Sequence, residues 1–187
     1  MIIFLAQRHA EKTLYDYPTN DYPTNDYPTN KRESIMKALV VYDSVFGNTE
    51  KIAQAMASAL GCEARRVTAV TPEQLAGLDA LIVGSPTQAF QALKPVKAFL
   101  KGIPAGSLKG VKVAGFDTRM DVKEVNNAVL TVFARAFGYA AEPIGKQLIK
   151  KGGTQAMPPE GFIVMGEKGP LRDGELKRAA AWVGQLL

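Results

Sequence analysis

Ser44, Gly47, Asn48 and Thr49 crowd into "YDSVFGNTE" (42–50), between an apolar run, "KALVVY" (37–42), and an amphipathic run, "KIAQAMASAL" (51–60). Residues of these types at the mouth of a helix suit an anion. A helix start exposes unpaired N–H groups and carries partial positive charge. Small hydroxyl and amide side chains add donors, and glycine lets the backbone approach closely. The same residues are ordinary helix caps, so this stretch alone does not separate the two uses. It does exclude some chemistry. No Gly-Lys-Ser/Thr follows, so a nucleoside triphosphate with magnesium is not expected, and no G-x-G-x-x-G marks a dinucleotide site. No Cys followed by Arg stands in the loop to serve as nucleophile and phosphate clamp. What remains is a single, non-reacting phosphate.

Two further loops carry residues suited to a ligand. "GSPTQAFQALKP" (84–95) follows the apolar run "DALIVG" (79–84), and "GFDTRMD" (115–121) follows "VKVAGF" (111–116). Phe90 and Phe116 offer candidate faces for a flat ring, with Thr87, Asp117 and backbone amides to address its polar edge. Each Phe taken singly is an ordinary core residue. Asp43 and Asp117 read as loop hydrogen-bonders, and no general acid, base or nucleophile is evident, so no catalytic residue is assigned. With one His (His9) and one Cys (Cys62), no zinc or iron–sulfur site is expected.

The elements that must position these loops alternate from Met36 onward. "KALVVY", "DALIVG" and "VKVAGF" read as buried strands, and "CEARRV" (62–67) as an edge or second strand. Thr49–Leu60 places Ile52, Met56 and Leu60, with Ala53 and Ala57, on one helical face, ended by Gly61. "KPVKAFLKGI" (94–103) reads as a short helix. Asp121 with Glu124 three residues on forms a capping-box pattern. A helix with Val122, Val125, Val129, Val132, Phe133 and Ala136 on one side is expected from there to Gly138. "PIGKQLI" (143–149) reads as the last strand and "PPEGFIVMG" (158–166) as irregular, with a short extra strand. Asp173–Leu187 reads as a closing helix with Leu176, Ala180, Val183 and Leu187 inward and Trp182 in the core. Apolar-throughout strands alternating with helices imply a parallel sheet covered on both faces. Ligands of such sheets sit beyond the carboxyl ends of the strands, the end where the three loops lie.

The chain has 187 residues, 47% of them hydrophobic, enough for one domain with its own core. No apolar run of membrane-spanning length exists. A single cysteine allows no intrachain disulfide and fits a reducing cytoplasm. Residues 1–35 differ from the rest: "DYPTN" repeats three times without a break, at 16–20, 21–25 and 26–30. Proline every fifth residue prevents continuous helix, and the repeat is too polar to build a core. These residues are expected to be a disordered tail, or translated upstream DNA from a misplaced start codon, with the folded domain at 36–187. Of the formal +5 charge, residues 36–187 carry 19 basic and 13 acidic side chains, a net +6. No Lys/Arg cluster with interleaved aromatics appears, so nucleic acid is not an expected partner.

"LVVYDSVFGNTEKIA" resembles the phosphate loop of the flavodoxin family, "LIVGSPTQAF" its second flavin loop and "GFDTR" its third. The resemblance runs from Met36 to the C-terminus and includes "GPLRDGEL". It implies an α/β, doubly wound, five-stranded parallel sheet in order 2-1-3-4-5, three layers α/β/α, binding FMN noncovalently. Carried over by position, Ser44, Phe46, Gly47, Asn48 and Thr49 would hold the phosphate. Ser85, Pro86, Thr87, Gln88, Ala89 and Phe90 would border the isoalloxazine, and Phe116, Asp117, Thr118 and Arg119 would close its other side. The implied function is an electron carrier between redox partner proteins. The alternatives are an FMN-dependent NAD(P)H:quinone or flavin reductase, and a binding module on the same fold that has lost flavin. A phosphoacceptor receiver domain needs an Asp where Gly84 stands. Unlike many flavodoxins, this chain has no Trp or Tyr in these loops, and its domain is basic. Were Arg119 to approach the N1 edge of the flavin, it would favour the reduced anion and raise the potential.

Overall fold

The structure is a computed structural model, which describes residues 36–121 and 138–187. The sheet is built from β1 (Ala38–Tyr42), β2 (Glu63–Arg66), β3 (Ala80–Pro86) and β4 (Lys112–Arg119), with two short strands, β5 (Thr154–Gln155) and β6 (Glu160–Ile163). Its order is β2-β1-β3-β4-β5, and every pairing is parallel. The edge next to β4 is filled in two pieces: β5 pairs with Lys112–Val113 and β6 with Phe116–Arg119.

Apolar residues at successive strand positions face opposite sides, and both sides are covered. Val40, Tyr42, Ile82 and Phe116 pack beneath α1 (Asn48–Leu60) and the last helix, with Ile52, Met56, Trp182 and Val183. Leu39, Val41, Leu81, Val83 and Val113 pack beneath α2 (Lys94–Gly102) and α3 (Ala141–Lys150), with Val96, Leu100, Ile144 and Leu148. Between β2 and β3 the chain makes two 3₁₀ turns, Val67–Ala69 and Pro72–Leu75, rather than an α-helix. Among the described residues no helix is long and apolar enough to cross a membrane.

The α1 face and its Gly61 cap are as the spacing predicts, with Ile52, Ala53, Met56, Ala57 and Leu60 buried and Gly61 left-handed at φ 63°. "PIGKQLI", expected as the last strand, lies inside helix α3. Pro143 falls in the first turn, where a helix needs no amide donor, and Ala141, Ile144 and Leu148 recur at helical spacing and are buried. The strand it displaces comes later, as β5 and β6. The closing helix, α4 (Glu175–Val183), buries Ala179, Trp182 and Val183, followed by Leu186 in a 3₁₀ turn. Leu176 and Leu187, expected inward, are 45% and 80% exposed. The buried stripe includes Glu175, whose carboxylate accepts the Ile163 amide at 3.0 Å and so fixes the rotation of α4 against β6. The helix expected from Asp121 to Gly138 lies, apart from its end residues, outside the described residues.

Candidate functional site

Asp43–Gly47 links β1 to α1. Gly47 is the N-cap at φ 82°, a left-handed backbone suited to glycine, and no side chain caps the helix start. Ser44 beside it is buried, and its Oγ has no hydrogen-bond partner among the described residues. A buried hydroxyl without a partner costs free energy, and here it stands next to the uncapped amides of α1. A hydroxyl and main-chain N–H groups thus converge at the start of α1, an environment that suits an anion. Arg66 braces the loop from behind: its guanidinium donates to the Asp43 carboxylate at 3.3 Å, the Ser44 carbonyl at 3.2 Å and the Glu50 carboxylate at 3.4 Å. The Tyr42 hydroxyl donates to Glu50 at 2.9 Å. Burial, then the Glu50 carboxylate, push that hydroxyl above its usual range, so it stays a donor.

The Asn48 and Thr49 side chains are already engaged. Asn48 Nδ2 donates to the Lys168 carbonyl at 3.0 Å, and the Thr49 and Thr118 hydroxyls share a hydrogen bond of 2.8 Å. Both tie α1 to neighbouring loops. Backbone amides, Ser44 Oγ, the second N–H of Asn48 and the hydroxyl proton left over from the Thr49–Thr118 pair remain to address an anion.

The second loop folds into a tight turn. Gln88 and Gln91 exchange two backbone hydrogen bonds of 2.9 Å around Ala89 and Phe90, at φ 45° and 62°. This left-handed pair is the geometry of a hairpin turn that usually takes Asn-Gly. Such backbone strain in non-glycine residues clusters at functional loops. Thr87 N donates to the Thr118 carbonyl at 2.8 Å, and Thr87 Oγ1 accepts the Ala140 amide at 2.9 Å. Ser85 is buried and spent on its own loop, accepting the Leu93 amide and donating to the Pro86 carbonyl, each at 2.9 Å.

In the third loop the sequence expectation for Phe116 fails. Its ring is fully buried, edge-on to Phe162 at 6.2 Å, and a Cβ on Gly84 would run into it. It belongs to the core under the sheet and offers no open face. Asp117, also fully buried, takes both its oxygens to Arg119, at 2.6 and 2.7 Å, and accepts the Ala141 amide at 2.9 Å. Burial pushes the Asp117 carboxyl above its ordinary range, against the pull of Arg119 and of that amide. The Arg119 guanidinium also stacks on the Tyr139 ring at 3.7 Å, and a Cβ on Gly161 would collide with it. Its charge is turned inward and paired, rather than held out as a free cation for a ligand.

A cavity of about 410 Å³ lies among these loops. It brings together Ser44, Phe46, Asn48, Thr49, Pro86, Thr87, Gln88, Ala89, Thr118 and Arg119. Gly47, Ser85, Phe90, Phe116 and Asp117 do not line it. It adds Val45, Met120, Val164 and Glu167, which the motif reading missed. Val164 and Glu167 come from the chain after β6, which carried no polar cluster to single it out. Arg66, which the motif reading did not single out, has its partners in the β1–α1 loop and on α1, distant in sequence. Among the described residues no cluster of His, Cys, Asp and Glu suits a metal ion.

Residues 39–156 match the flavodoxin domain family. The chain belongs to that family. Solved structures share the fold of this flavodoxin domain at low identity. A flavodoxin from the domain Archaea is 21% identical with a TM-score of 0.62, over 81% of this chain and 96% of that one. Oxidised flavodoxin 1 from Bacillus cereus is 16% identical with a TM-score of 0.61, over 80% and 95%. A flavodoxin, WrbA-like protein from Agrobacterium tumefaciens is 17% identical with a TM-score of 0.58, over 80% and 93%. No curated protein matches the chain in sequence. The three loops of this flavodoxin domain thus lie at the end of the sheet where the fold places ligands.

Proposed function

We propose that this protein binds FMN and carries electrons between partner proteins. The observation that supports the reading most directly is the buried, partnerless Ser44 hydroxyl beside the uncapped start of α1. One phosphoryl group supplies the acceptor oxygens that these donors lack. Ser44 and the amides from Phe46 to Thr49 would hold the phosphate. Pro86, Thr87, Gln88 and Ala89 on one loop, and Thr118 and Arg119 on another, would border the ring. When bound, FMN supplies one- and two-electron redox chemistry, while the chain contributes binding, orientation and local charge. Asp117 and Arg119 act as a neutralised pair that fixes the β4 end. Glu167 is then the lining charge without an ion-pair partner among the described residues. A cytoplasmic location belongs to the same proposal and rests on the chain's single cysteine.

Titration of the purified protein with FMN and with riboflavin, followed by flavin fluorescence, tests the reading. Saturable quenching is expected, with FMN bound about 100-fold more tightly, the scale of one or two charge-assisted hydrogen bonds. Equal affinity for the two flavins, or no quenching by either, would sink it. Rapid NAD(P)H oxidation by the loaded protein with a quinone acceptor would move the assignment from carrier to reductase.

A further inference from the structure

A second, larger hollow lies beside the candidate site. A groove of about 1010 Å³ runs between α2 and α3 and meets the Gln88–Gln91 turn, sharing Ala89 with the candidate cavity. Its floor includes the buried Ala92, Leu100 and Ile144, and its rim Lys97, Lys101 and Lys151. Lys94, Lys97 and Lys101 follow one another at helical spacing along one face of α2. Lys151, just past the end of α3, reaches across, its Nζ donating to the Lys101 carbonyl at 3.2 Å. No Asp or Glu occurs between Ala80 and Phe116, nor between Pro143 and Pro159.

Among the described residues the ion pairs are made by arginines, and no lysine joins one. Arg65 pairs with Glu63, Arg66 with Asp43 and Glu50, Arg119 with Asp117, and Arg178 with Glu160 and Glu175. Around the groove the four lysines form no ion pair among the described residues. The one side-chain partner that Lys97 meets is the Gln91 amide oxygen, at 2.8 Å. A mainly aliphatic lining, with Phe90 at one end, bordered by ammonium groups suits an occupant that is apolar on one side and anionic on the other.

We propose that this groove docks an acidic, amphipathic segment of a protein partner, with apolar side chains on Leu100 and Ile144 and carboxylates among the lysines. A nucleic acid is disfavoured because single strands bind on a succession of aromatic platforms, and Phe90 is the one aromatic residue among the described residues that line the groove. Docking here places the partner against the loop that borders the candidate cavity, and opposite charge speeds such encounters. The partner's redox role rests on the carrier reading above, while the docking itself does not.

The test uses the full chain and a fluorescein-labelled 16-residue peptide with Leu on one helical face and Glu on the other. A Lys version of the peptide and oligo(dT) of equal length serve as comparisons. At about 20 mM salt, where surface charges are little screened, the acidic peptide is expected to bind at least tenfold more tightly than either. Affinity should fall about tenfold or more in the Lys94→Glu/Lys97→Glu/Lys101→Glu variant. The Lys37→Glu/Lys51→Glu/Lys177→Glu variant has the same net charge with the groove intact, and should bind nearly as well as the parent. Equal loss in both variants means net charge alone is at work and overturns the proposal. So does tighter binding of oligo(dT), or no binding of the acidic peptide. FMN titration of the same samples reads the flavin assignment separately, so either idea can fail without the other.

Discussion

A hydroxyl buried without a partner costs a fold about 1–3 kcal/mol, and Ser44 carries one at the mouth of α1. Local stability and proposed chemistry therefore oppose each other at this residue. Ser44→Ala is expected to leave the flavin-free protein as stable as the parent or more so, by about 1 kcal/mol, and to weaken FMN binding about tenfold. Thermal melts without flavin and a fluorescence titration read the two signs. A destabilised flavin-free variant with unchanged FMN affinity would mean that the hydroxyl serves the fold. Arg119 works in the opposite sense. Removing it strands the buried Asp117 carboxylate, so Arg119→Ala should cost about 3–5 kcal/mol near neutral pH. Asp117 is already pushed upward by burial, and loss of its cation pushes it further. A raised folded-state pKa favours the folded form below the unfolded value and loses that contribution as pH rises through the folded value. The deficit of Arg119→Ala should therefore shrink as pH falls toward about 4. Denaturant unfolding at several pH values checks this, and a deficit independent of pH would mean that the carboxylate was not left charged.

At the scale of elements, the three central strands were plain in the sequence because each is apolar on both faces. Helix α1 was plain because its apolar residues keep helical spacing between glycines. "PIGKQLI" was misread because Pro143 and Gly145 suggest a break and Ile144, Leu148 and Ile149 suggest a strand. The alternative, a helix with proline in its first turn, depends on Ala140 accepting the Ile144 amide, at 3.1 Å, and on the sheet face beneath. Of the two pieces beside β4, β6 falls within 158–166, where a short extra strand was expected, whereas β5 was obscure for a different reason. β5 contacts one neighbour and contains polar residues, so it presents no apolar run. The helical assignment of this segment makes its own prediction. Gly145 lies inside α3, and a Cβ there would meet Pro159 Cγ at an ordinary contact of 3.6 Å. Gly145→Ala should stabilise the domain by about 0.5–1 kcal/mol, the helix-propensity difference. Destabilisation in a urea melt would mean that the backbone needs glycine's freedom there. For the site, residue type located the loops but not the side chains' directions. Phe116 and Asp117 are neighbours on one strand, so one enters the core under the sheet and the other meets Arg119 and α3. Ser85 was spent on its own loop in a way that no local pattern signals.

At the scale of the whole molecule, parallel topology gathers the ends of β1, β3 and β4 into one site from stretches more than 30 residues apart. It also sets the lysines of α2 beside Lys151, which sequence order keeps apart. That is why the basic groove was invisible along the chain, where no run of Lys and Arg occurs. The same topology bears on how much of the chain the fold uses. β1 is an interior strand, flanked by β2 and β3. The Lys37 amide donates to the Asp79 carboxylate at 2.8 Å, which fastens the strand's start, and Met36 packs against the core. We propose that residues 36–187 suffice for the fold and its ligand site. A variant starting at Met36 should melt within about 2 °C of the full chain, since less than about 0.5 kcal/mol is at stake for a domain of this size, and should titrate with FMN identically. A fall of 5 °C or more, about 1–2 kcal/mol on the same scale, would assign the three DYPTN repeats and their flanks a share in holding the domain together. They would then no longer read as a polar tail with no core to build.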